Sequence, residues 1–309
     1  MYLSFHLLRP TSVFSFLLVT LHLLLPGANS AVFTLINKCN YAVWPAALTT
    51  STNATLPTTG LILKSGKTST VTAPDTWSGR FWGRTDCNID SVTGKFSCLT
   101  GNCGSEKLAC NGKGPEPPTT LAQFSLSSEG GLDFYNVSVV DGFNVPILVV
   151  PVGGSGENCS STGCPVDLNN ECPTNLRVYN KSKVVGCQGA CSALKLKQFC
   201  CVGKYSSPKT CELSSYSLAF KRACPDAYSY PYDYGTKTFS CSSESYNIIF
   251  CPFSKKKTLF DTLFRPFVIL ISVSVVIGIV VRCCWCPAQK QYVDTSVIVR
   301  PARPMLVYY

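Results

Sequence analysis

The chain has 309 residues, of which 46% are hydrophobic and 14% charged, and this composition excludes an intrinsically disordered protein. The formal net charge of +10 is uneven: residues 31–254 carry 18 basic and 15 acidic side chains, whereas residues 255–309 carry 8 and 2. The long first segment is therefore nearly balanced, and it lacks the electrostatic footprint of a nucleic-acid-binding protein.

Residues 1–30 have the pattern of a signal peptide, with Arg9 before a short apolar run and small residues at the −3 and −1 positions of the cleavage site. An uncleaved anchor helix is the alternative. Both histidines, His6 and His22, lie in this segment. After cleavage no histidine remains, which excludes Ser-His-Asp and Cys-His catalysis and histidine-ligated metal sites. We expect no metal and no cofactor.

Sixteen of the nineteen cysteines lie between Cys39 and Cys251. An even number of cysteines in one stretch predicts a disulfide framework formed in an oxidising compartment, in preference to an all-Cys zinc site. Sixteen cysteines allow roughly two million complete pairings, so their spacing alone does not give the connectivity.

Residues 31–158 predict a mainly β fold. Glycine, proline and asparagine separate the strand-like runs about every eight to twelve residues, a spacing typical of sandwiches and barrels. The clearest runs are residues 31–36, 69–73, 79–84, 121–126 and 132–140.

Residues 159–224 differ in character, because they contain nine cysteines and few apolar runs. Such a segment predicts a loop-rich lobe that depends on cross-links for its stability. Residues 187–201 are the best helical candidate in this lobe, and residues 246–250 predict a final strand.

Residues 263–286 predict a transmembrane helix that includes fifteen uncharged residues, 267–281, with basic side chains able to reach both interfaces. A buried core helix and a glycolipid-anchor signal are the alternatives. With the signal peptide, this segment predicts a single-pass plasma-membrane protein whose residues 31–254 are extracellular and whose residues 255–266 form a stalk. The remaining cytoplasmic tail, 287–309, is expected to be disordered and is too short for a kinase domain.

Cys283, Cys284 and Cys286 follow the apolar run on the expected cytoplasmic side. Juxtamembrane cysteines of this kind are candidates for S-palmitoylation. Filling the membrane interface is an equally good interpretation of the three residues.

Five sequence motifs are similar to those of the plant thaumatin-like proteins, the pathogenesis-related group 5 family. They are GRFWGRTDC at 79–87, PPTTLAQFSL at 117–126, LDFYNVSVVDGFNVP at 132–146, QFCCVG at 198–203 and FKRACPDAYSY at 220–230. The resemblance covers about residues 31–254, and the sixteen cysteines match the family in number and order. It implies a flattened β-sandwich with a disulfide-rich loop lobe at about 159–224 and a small lobe at about 85–116.

The same resemblance implies eight disulfide bonds. The implied pairs are Cys39–Cys251, Cys87–Cys98, Cys103–Cys110, Cys159–Cys241, Cys164–Cys224, Cys172–Cys187, Cys191–Cys200 and Cys201–Cys211.

Many members of this family have an acidic cleft, lined by one Arg, one Glu and three Asp, that is implicated in binding β-1,3-glucans and in some members in cleaving them. The matching positions here are Arg80, Gln123, Asn136, Asp141 and Asp226. Two of the four carboxylates are thus replaced by amides, which cannot act as acid or base at physiological pH.

Glycoside hydrolysis usually needs two carboxyl groups, so these replacements argue against an enzyme. They also remove negative charge that would raise the pKa of a neighbouring acid. Asp141 and Asp226 remain the alternative catalytic pair. Asp133 is not expected to replace Asn136, because residues three apart on a strand face opposite sides.

Four N-glycosylation sequons begin at Asn53, Asn136, Asn158 and Asn180, and Asn53 is the favoured site. A glycan on Asn136 would obstruct the cleft, although a sequon inside a fast-forming strand can be skipped. Sugar-stacking candidates are aromatic residues of the matching motifs, of which Phe81 and Trp82 are better interpreted as core: Phe81, Trp82, Phe143, Tyr228 and Tyr230.

The sequence therefore predicts a membrane-anchored, wall-facing, non-catalytic protein of plant defence. Its expected partners are β-glucan or another wall polysaccharide, or a protein, together with a membrane signalling partner; no nucleic acid is expected. The first alternative is a weak endo-β-1,3-glucanase or antifungal protein. The second is a relative of thaumatin-domain receptor kinases without the kinase.

Overall fold

A computed structural model of the chain describes residues 30–52, 54–128, 131–233, 239–243 and 245–253. Residues 1–29 of the expected signal peptide lie outside these ranges, as do the segments expected to be stalk, transmembrane helix and tail. Ser30, the last residue of the expected signal peptide, is described and begins the first strand. Asn53 and the palmitoylation candidates Cys283, Cys284 and Cys286 also lie outside these ranges. Within the described ranges, no helix is both long enough and apolar enough to cross a bilayer.

Thirteen strands are present in the described residues. They are β1 (Ser30–Asn37), β2 (Trp44–Thr49), β3 (Thr68–Pro74), β4 (Ser78–Ile89), β5 (Phe96–Thr100), β6 (Leu121–Ser125), β7 (Asp133–Ser138), β8 (Ile147–Val152), β9 (Thr162–Cys164), β10 (Arg177–Asn180), β11 (Lys183–Cys187), β12 (Phe239–Cys241) and β13 (Ser245–Phe250).

The strands form two large sheets and one hairpin. The first sheet has the order β3-β1-β13-β8-β9, in which β1 and β13 pair in parallel. The second has the order β12-β7-β6-β4-β2, with β5 paired to the far end of β4, and β10 and β11 form the hairpin. The mainly β fold expected from the sequence is confirmed.

The core lies between the inward faces of the two large sheets, as in other β-sandwiches. Six aromatic side chains form its centre: Phe33, Trp77, Phe81, Phe124, Tyr135 and Tyr246. The ring of Phe33 lies at the middle of this group, with centroids 4.7 Å from Phe124 and 4.9 Å from Phe81. On β1 and along most of β7 these residues alternate with half-buried or exposed ones, so one face of each strand is in the core. On β4 residues 81–85 are all buried, so both faces of that part of the strand are covered.

The six runs expected to be strands all form strands, but other strands were missed. β2 begins Trp-Pro-Ala-Ala, and β8 contains Pro151. Proline and alanine are depleted in strands because proline lacks a backbone donor and alanine contributes little side-chain packing, so β2 does not look strand-like by composition. β8 is rich in Ile and Val, so its composition is strand-like even though the segment was not predicted as a strand. Both are held in place by pairing with β4 and β13.

The loop-rich lobe contains three short α-helices: α1 (Ala190–Leu194), α2 (Lys197–Cys200) and α3 (Ser215–Ala223). The helical candidate at 187–201 is therefore two short helices, separated where Lys195 adopts a left-handed conformation with φ of 57°. The sequence did not predict α3. Its start is marked by Ser214, whose side chain accepts a hydrogen bond from the Ser217 amide at 3.1 Å.

The structure contains eight disulfides, and they join the same sixteen cysteines in the same pairs that the resemblance implies. Cys39–Cys251 spans 212 residues and joins the end of β1 to the end of β13. Three bridges fall within residues 172–211, in the loop-rich lobe.

Cys103 and Cys110, from the segment expected to form the small lobe, pack against the buried Trp82 of the second sheet. Arg84, whose burial the sequence did not predict, lies beneath them with no exposed surface. It donates to the carbonyls of Trp44 at 3.1 Å and Leu108 at 2.8 Å, and its guanidinium lies 5.0 Å from the Phe96 ring centroid. Burial lowers the pKa of Arg84 to about 10. The planar guanidinium of Arg84 has several donors, and its hydrogen bonds thus connect the segment that contains Leu108 to the sheet.

Candidate functional site

A row of polar side chains crosses the outer face of the second sheet. Arg80 on β4 is directly opposite Gln123 on β6, and Gln123 is directly opposite Asn136 on β7. All three are half-buried. Because directly opposite residues on neighbouring strands lie about 5 Å apart, the row is about 10 Å long. The register of three strands therefore brings these three cleft candidates together.

Strand alternation directs this row away from the core. On β4, Phe81 packs into the aromatic core while Arg80 lies on the opposite face, and on β7 the same holds for Tyr135 and Asn136. Trp82 shares the outer face with Arg80, but it is covered by the Cys103–Cys110 segment and donates to the Gly101 carbonyl at 2.8 Å. The row beside it is only half-buried.

Asp133 lies on the core side, as the strand period requires, and it does not join the row. Its carboxylate accepts hydrogen bonds from the Tyr246 hydroxyl at 2.7 Å and from the Ser127 amide at 2.8 Å. Burial raises the pKa of Asp133 even though both of these hydrogen bonds oppose the rise.

Asp141 lies in a tight turn after β7, closed by a 3.0 Å hydrogen bond from the Gly142 amide to the Val139 carbonyl. Gly142 has φ of 97°, and a Cβ there would lie 2.5 Å from the Cys187 carbonyl oxygen, so the turn requires glycine. Burial raises the pKa of Asp141, and the positive charge of Arg80 opposes part of that rise. Asp141 therefore lies within electrostatic range of the row.

Asp226 lies in the loop-rich lobe, close in sequence to a segment that contacts the end of β7. It lies in a turn after α3, and two residues later the Tyr228 amide donates to the Val137 carbonyl at 2.8 Å. The Val139 amide in turn donates to the Tyr228 carbonyl at 2.8 Å, so this segment runs beside the end of β7. The Asp226 carbonyl accepts from the Thr162 hydroxyl at 3.0 Å. We call the region formed by Arg80, Gln123, Asn136, Asp141 and Asp226 the groove.

Asn136 has an unusual environment within the groove. Its Oδ1 atom is buried and has no hydrogen-bond partner. Buried polar atoms are normally paired, because an unpaired acceptor costs about 1–3 kcal/mol. The sequence identified Asn136 as a cleft position, but only the structure shows that its amide oxygen is unsatisfied.

The aromatic candidates divide into two groups. Phe81, Trp82 and Phe143 are buried, with at most 2% of their surface exposed. Phe143 is therefore a core residue, and its assignment as a sugar-stacking candidate was wrong. Tyr228 and Tyr230 are half-buried and keep a ring surface that a ligand can reach.

These features define a disulfide-braced β-sandwich with a row of polar side chains across one sheet. The model of the Thaumatin family matches residues 37–252. The chain belongs to the thaumatin family, as a plant thaumatin-like protein of the defence class.

Three relatives indicate the range of this family. The PR5-like receptor kinase of Arabidopsis thaliana is 50% identical over 242 residues, which cover 77% of this chain and 36% of that protein. This chain therefore spans about a third of the length of that relative. Thaumatin-like protein 1 of A. thaliana is 47% identical over 75% of this chain and 89% of its own length. A Prunus avium protein named glucan endo-1,3-beta-glucosidase is 44% identical over 73% of this chain and 92% of its own length.

Proposed function

We propose that the groove binds β-1,3-glucan, a neutral polysaccharide of the wall, and does not hydrolyse it. The observation that carries this proposal is the row Arg80–Gln123–Asn136, which presents hydrogen-bonding groups but no carboxylate. Amide side chains donate and accept at once, as sugar hydroxyls do.

The charges of the groove support binding without hydrolysis. Hydrolysis usually requires one carboxyl group to protonate the leaving oxygen and a second to activate water or attack the sugar. The groove retains Asp141 on one loop and Asp226 on another, while the two positions between them, Gln123 and Asn136, are neutral. Burial raises the pKa of Asp141, but the positive charge of Arg80 opposes part of that rise and so makes Asp141 a weaker acid candidate than burial alone would.

A second candidate function is a weak endo-β-1,3-glucanase that uses Asp141 and Asp226. It is favoured by the burial of Asp141, which raises the pKa of that carboxyl toward a useful range for a general acid. The name of the P. avium relative points in the same direction.

Retention of the purified full-length chain on insoluble β-1,3-glucan tests the binding proposal, with reducing-end release from laminarin measured on the same sample. We expect retention without release. Losing a charged donor costs about 1.5–3 kcal/mol, so Arg80→Gln should weaken retention about tenfold or more. Asn136→Ala should weaken it severalfold, whereas Asn88→Ala, an exposed control on β4, should not. Release of reducing ends that Asp226→Asn abolishes would establish the glucanase instead, and a chain that neither binds nor cleaves the glucan would overturn both.

The same sample tests the sequons, because glycan occupancy can be read by peptide mass mapping. Asn180 is exposed at the turn of the β10–β11 hairpin, whereas Asn136 is half-buried in a strand paired with β6. Since acceptor sites are normally in surface loops, we propose that Asn180 carries a glycan and Asn136 does not. Asn158 is also exposed, next to the cross-linked Cys159. Deglycosylation should then leave retention on the glucan unchanged. An increase in retention after deglycosylation would instead indicate a glycan that obstructs the groove.

We further propose that residues 1–30 are a cleaved leader, that residues 31–254 are the extracellular thaumatin-like domain, and that residues 263–286 anchor it in the plasma membrane. The uncharged run 267–281 supports the anchor, as does the 50% identity to a protein named a receptor kinase. A signalling role would then require a partner in the membrane.

Alkaline carbonate extraction of expressing cells should leave the full-length chain in the membrane pellet, because an integral helix resists removal by high pH. A variant truncated after residue 254 should be secreted, and external protease should digest the domain but not a C-terminal tag. Recovery of the full-length chain in the carbonate supernatant would contradict the anchor. Acyl exchange on the same cells detects thioester-linked lipid. A signal that disappears in the Cys283/Cys284/Cys286→Ser variant would identify palmitoylation of these cysteines.

A further inference from the structure

The basic side chains of residues 31–254 are concentrated in one lobe. Residues 172–211 contain seven basic residues and no acidic one, whereas the remainder of 31–254 contains 11 basic and 15 acidic residues. The small net charge of residues 31–254 as a whole therefore hides an uneven distribution of charge. We call this segment the basic lobe, and its cations are Arg177, Lys181, Lys183, Lys195, Lys197, Lys204 and Lys209.

All seven of these side chains belong to exposed residues. Among the described residues, none of them forms a salt bridge, and the two salt bridges there lie elsewhere, at Lys95–Glu106 and Lys221–Asp233. The charge of the basic lobe is therefore not neutralised by a carboxylate contact within the described part of the molecule, and it is available to an outside partner.

The backbone of the basic lobe is cross-linked throughout. Cys172–Cys187 closes the β10–β11 hairpin at its base, and Cys191–Cys200 and Cys201–Cys211 close the two loops that follow. Three short covalent loops hold the positions of the cations before a partner arrives. Such preorganisation lowers the entropy cost of binding.

Along the chain, exposed apolar and aromatic residues lie between the cations of the basic lobe. Leu196, between two of the lysines, is 49% exposed, and Tyr179 on β10 is also 49% exposed. The ammonium of Lys204 lies 5.1 Å from the ring centroid of Tyr205. Ammonium groups interspersed along the chain with exposed ring and aliphatic groups are suited to a polymer that carries carboxylates on apolar-faced sugar rings.

We propose that the basic lobe binds an acidic polysaccharide, a polymer of uronic acid residues. The eight disulfides place the domain in an oxidising, non-cytosolic compartment, where nucleic acid is not an expected partner. Anionic phospholipid is concentrated in the cytoplasmic leaflet, so a lipid surface is a poorer match on this side of the membrane. The neutral glucan of the groove does not use these cations, so the two binding activities can be measured separately.

Binding of the full-length chain in neutral detergent to immobilised polygalacturonate tests this proposal. Matched surfaces carry the same polymer fully methyl-esterified, laminarin, or phosphatidylserine vesicles. We expect binding to polygalacturonate that salt weakens strongly, because polyanion binding releases counterions, and that esterification abolishes. The combined Lys195/Lys197/Lys204/Lys209→Gln variant should bind at least tenfold more weakly.

A matched variant controls for total charge: Lys38/Lys64/Lys67/Lys107→Gln also removes four exposed lysines, all outside the basic lobe. It should change the affinity by no more than about twofold. Non-reducing peptide mapping of both variants verifies that all eight bridges have formed. Equal losses in the two variants, unchanged binding to the esterified polymer, or binding to vesicles but not to polygalacturonate would each overturn the proposal. Glucan retention by the basic-lobe variant should stay unchanged, which separates this result from that for the groove.

Discussion

Replacing both cysteines of the Cys39–Cys251 bridge with alanine should lower the free energy of unfolding by about 5 kcal/mol. The bridge spans 212 residues, the largest separation of the eight, and a cross-link restricts the unfolded chain more as its loop lengthens. Other bridges, chiefly Cys159–Cys241, shorten the effective loop by roughly half. The dependence on length is logarithmic, so this changes the effect by only about 0.6 kcal/mol.

Urea unfolding without reductant measures this effect, and Cys191/Cys200→Ala is the matched control. That bridge spans only nine residues, so the same relation gives about 2.5 kcal/mol for its removal. If the two double variants lost equal stability, the length of the closed loop would not be the cause, and local packing around the sulfurs would have to explain the losses.

Phe33→Ala should lower the free energy of unfolding by about 4 kcal/mol. Phe33 has no exposed surface, and its ring lies within 6 Å of four others, those of Trp77, Phe81, Phe124 and Tyr246. The substitution removes apolar surface from the centre of the sandwich and leaves a cavity that strands on both sides are too rigid to fill.

Thermal and urea unfolding of two further variants give the comparison for Phe33. Phe33→Leu should lose roughly half as much, because it retains most of the buried volume. Phe253→Ala should change stability by less than about 0.5 kcal/mol, since that side chain is 72% exposed. A loss at Phe33 as small as that at Phe253 would contradict the assignment of this ring to the core.

The fold was predictable from the sequence to different degrees along the chain. β1 and β7 have alternating apolar residues, and this pattern alone identifies them. Neither the strand β2 nor the burial of Arg84 has such a signal in the sequence. Proline and alanine are uncommon in strands, and arginine is uncommon at buried positions. Tertiary pairing decides these positions, and a single sequence does not state which strands pair.

The groove illustrates the same limit. Arg80, Gln123 and Asn136 lie far apart in sequence, and nothing in their spacing reveals that they are opposite one another. The family resemblance singled them out, while the register of β4, β6 and β7 explains why they lie side by side. The unpaired oxygen of Asn136 and the burial that raises the pKa of Asp141 depend on neighbours from distant segments, so residue type alone does not give them.

The position of the Cys39–Cys251 bridge has a mechanical consequence. A pulling force on the chain beyond residue 253 enters the domain at Cys251 and crosses a covalent bond to Cys39, at the same end of the parallel pair β1 and β13. β13 therefore cannot be peeled from β1 one hydrogen bond at a time from this end. A pulling force on the C-terminal side is instead shared between β1 and β13, two strands of one sheet. The domain therefore resists unfolding under tension while a ligand is bound to its surface.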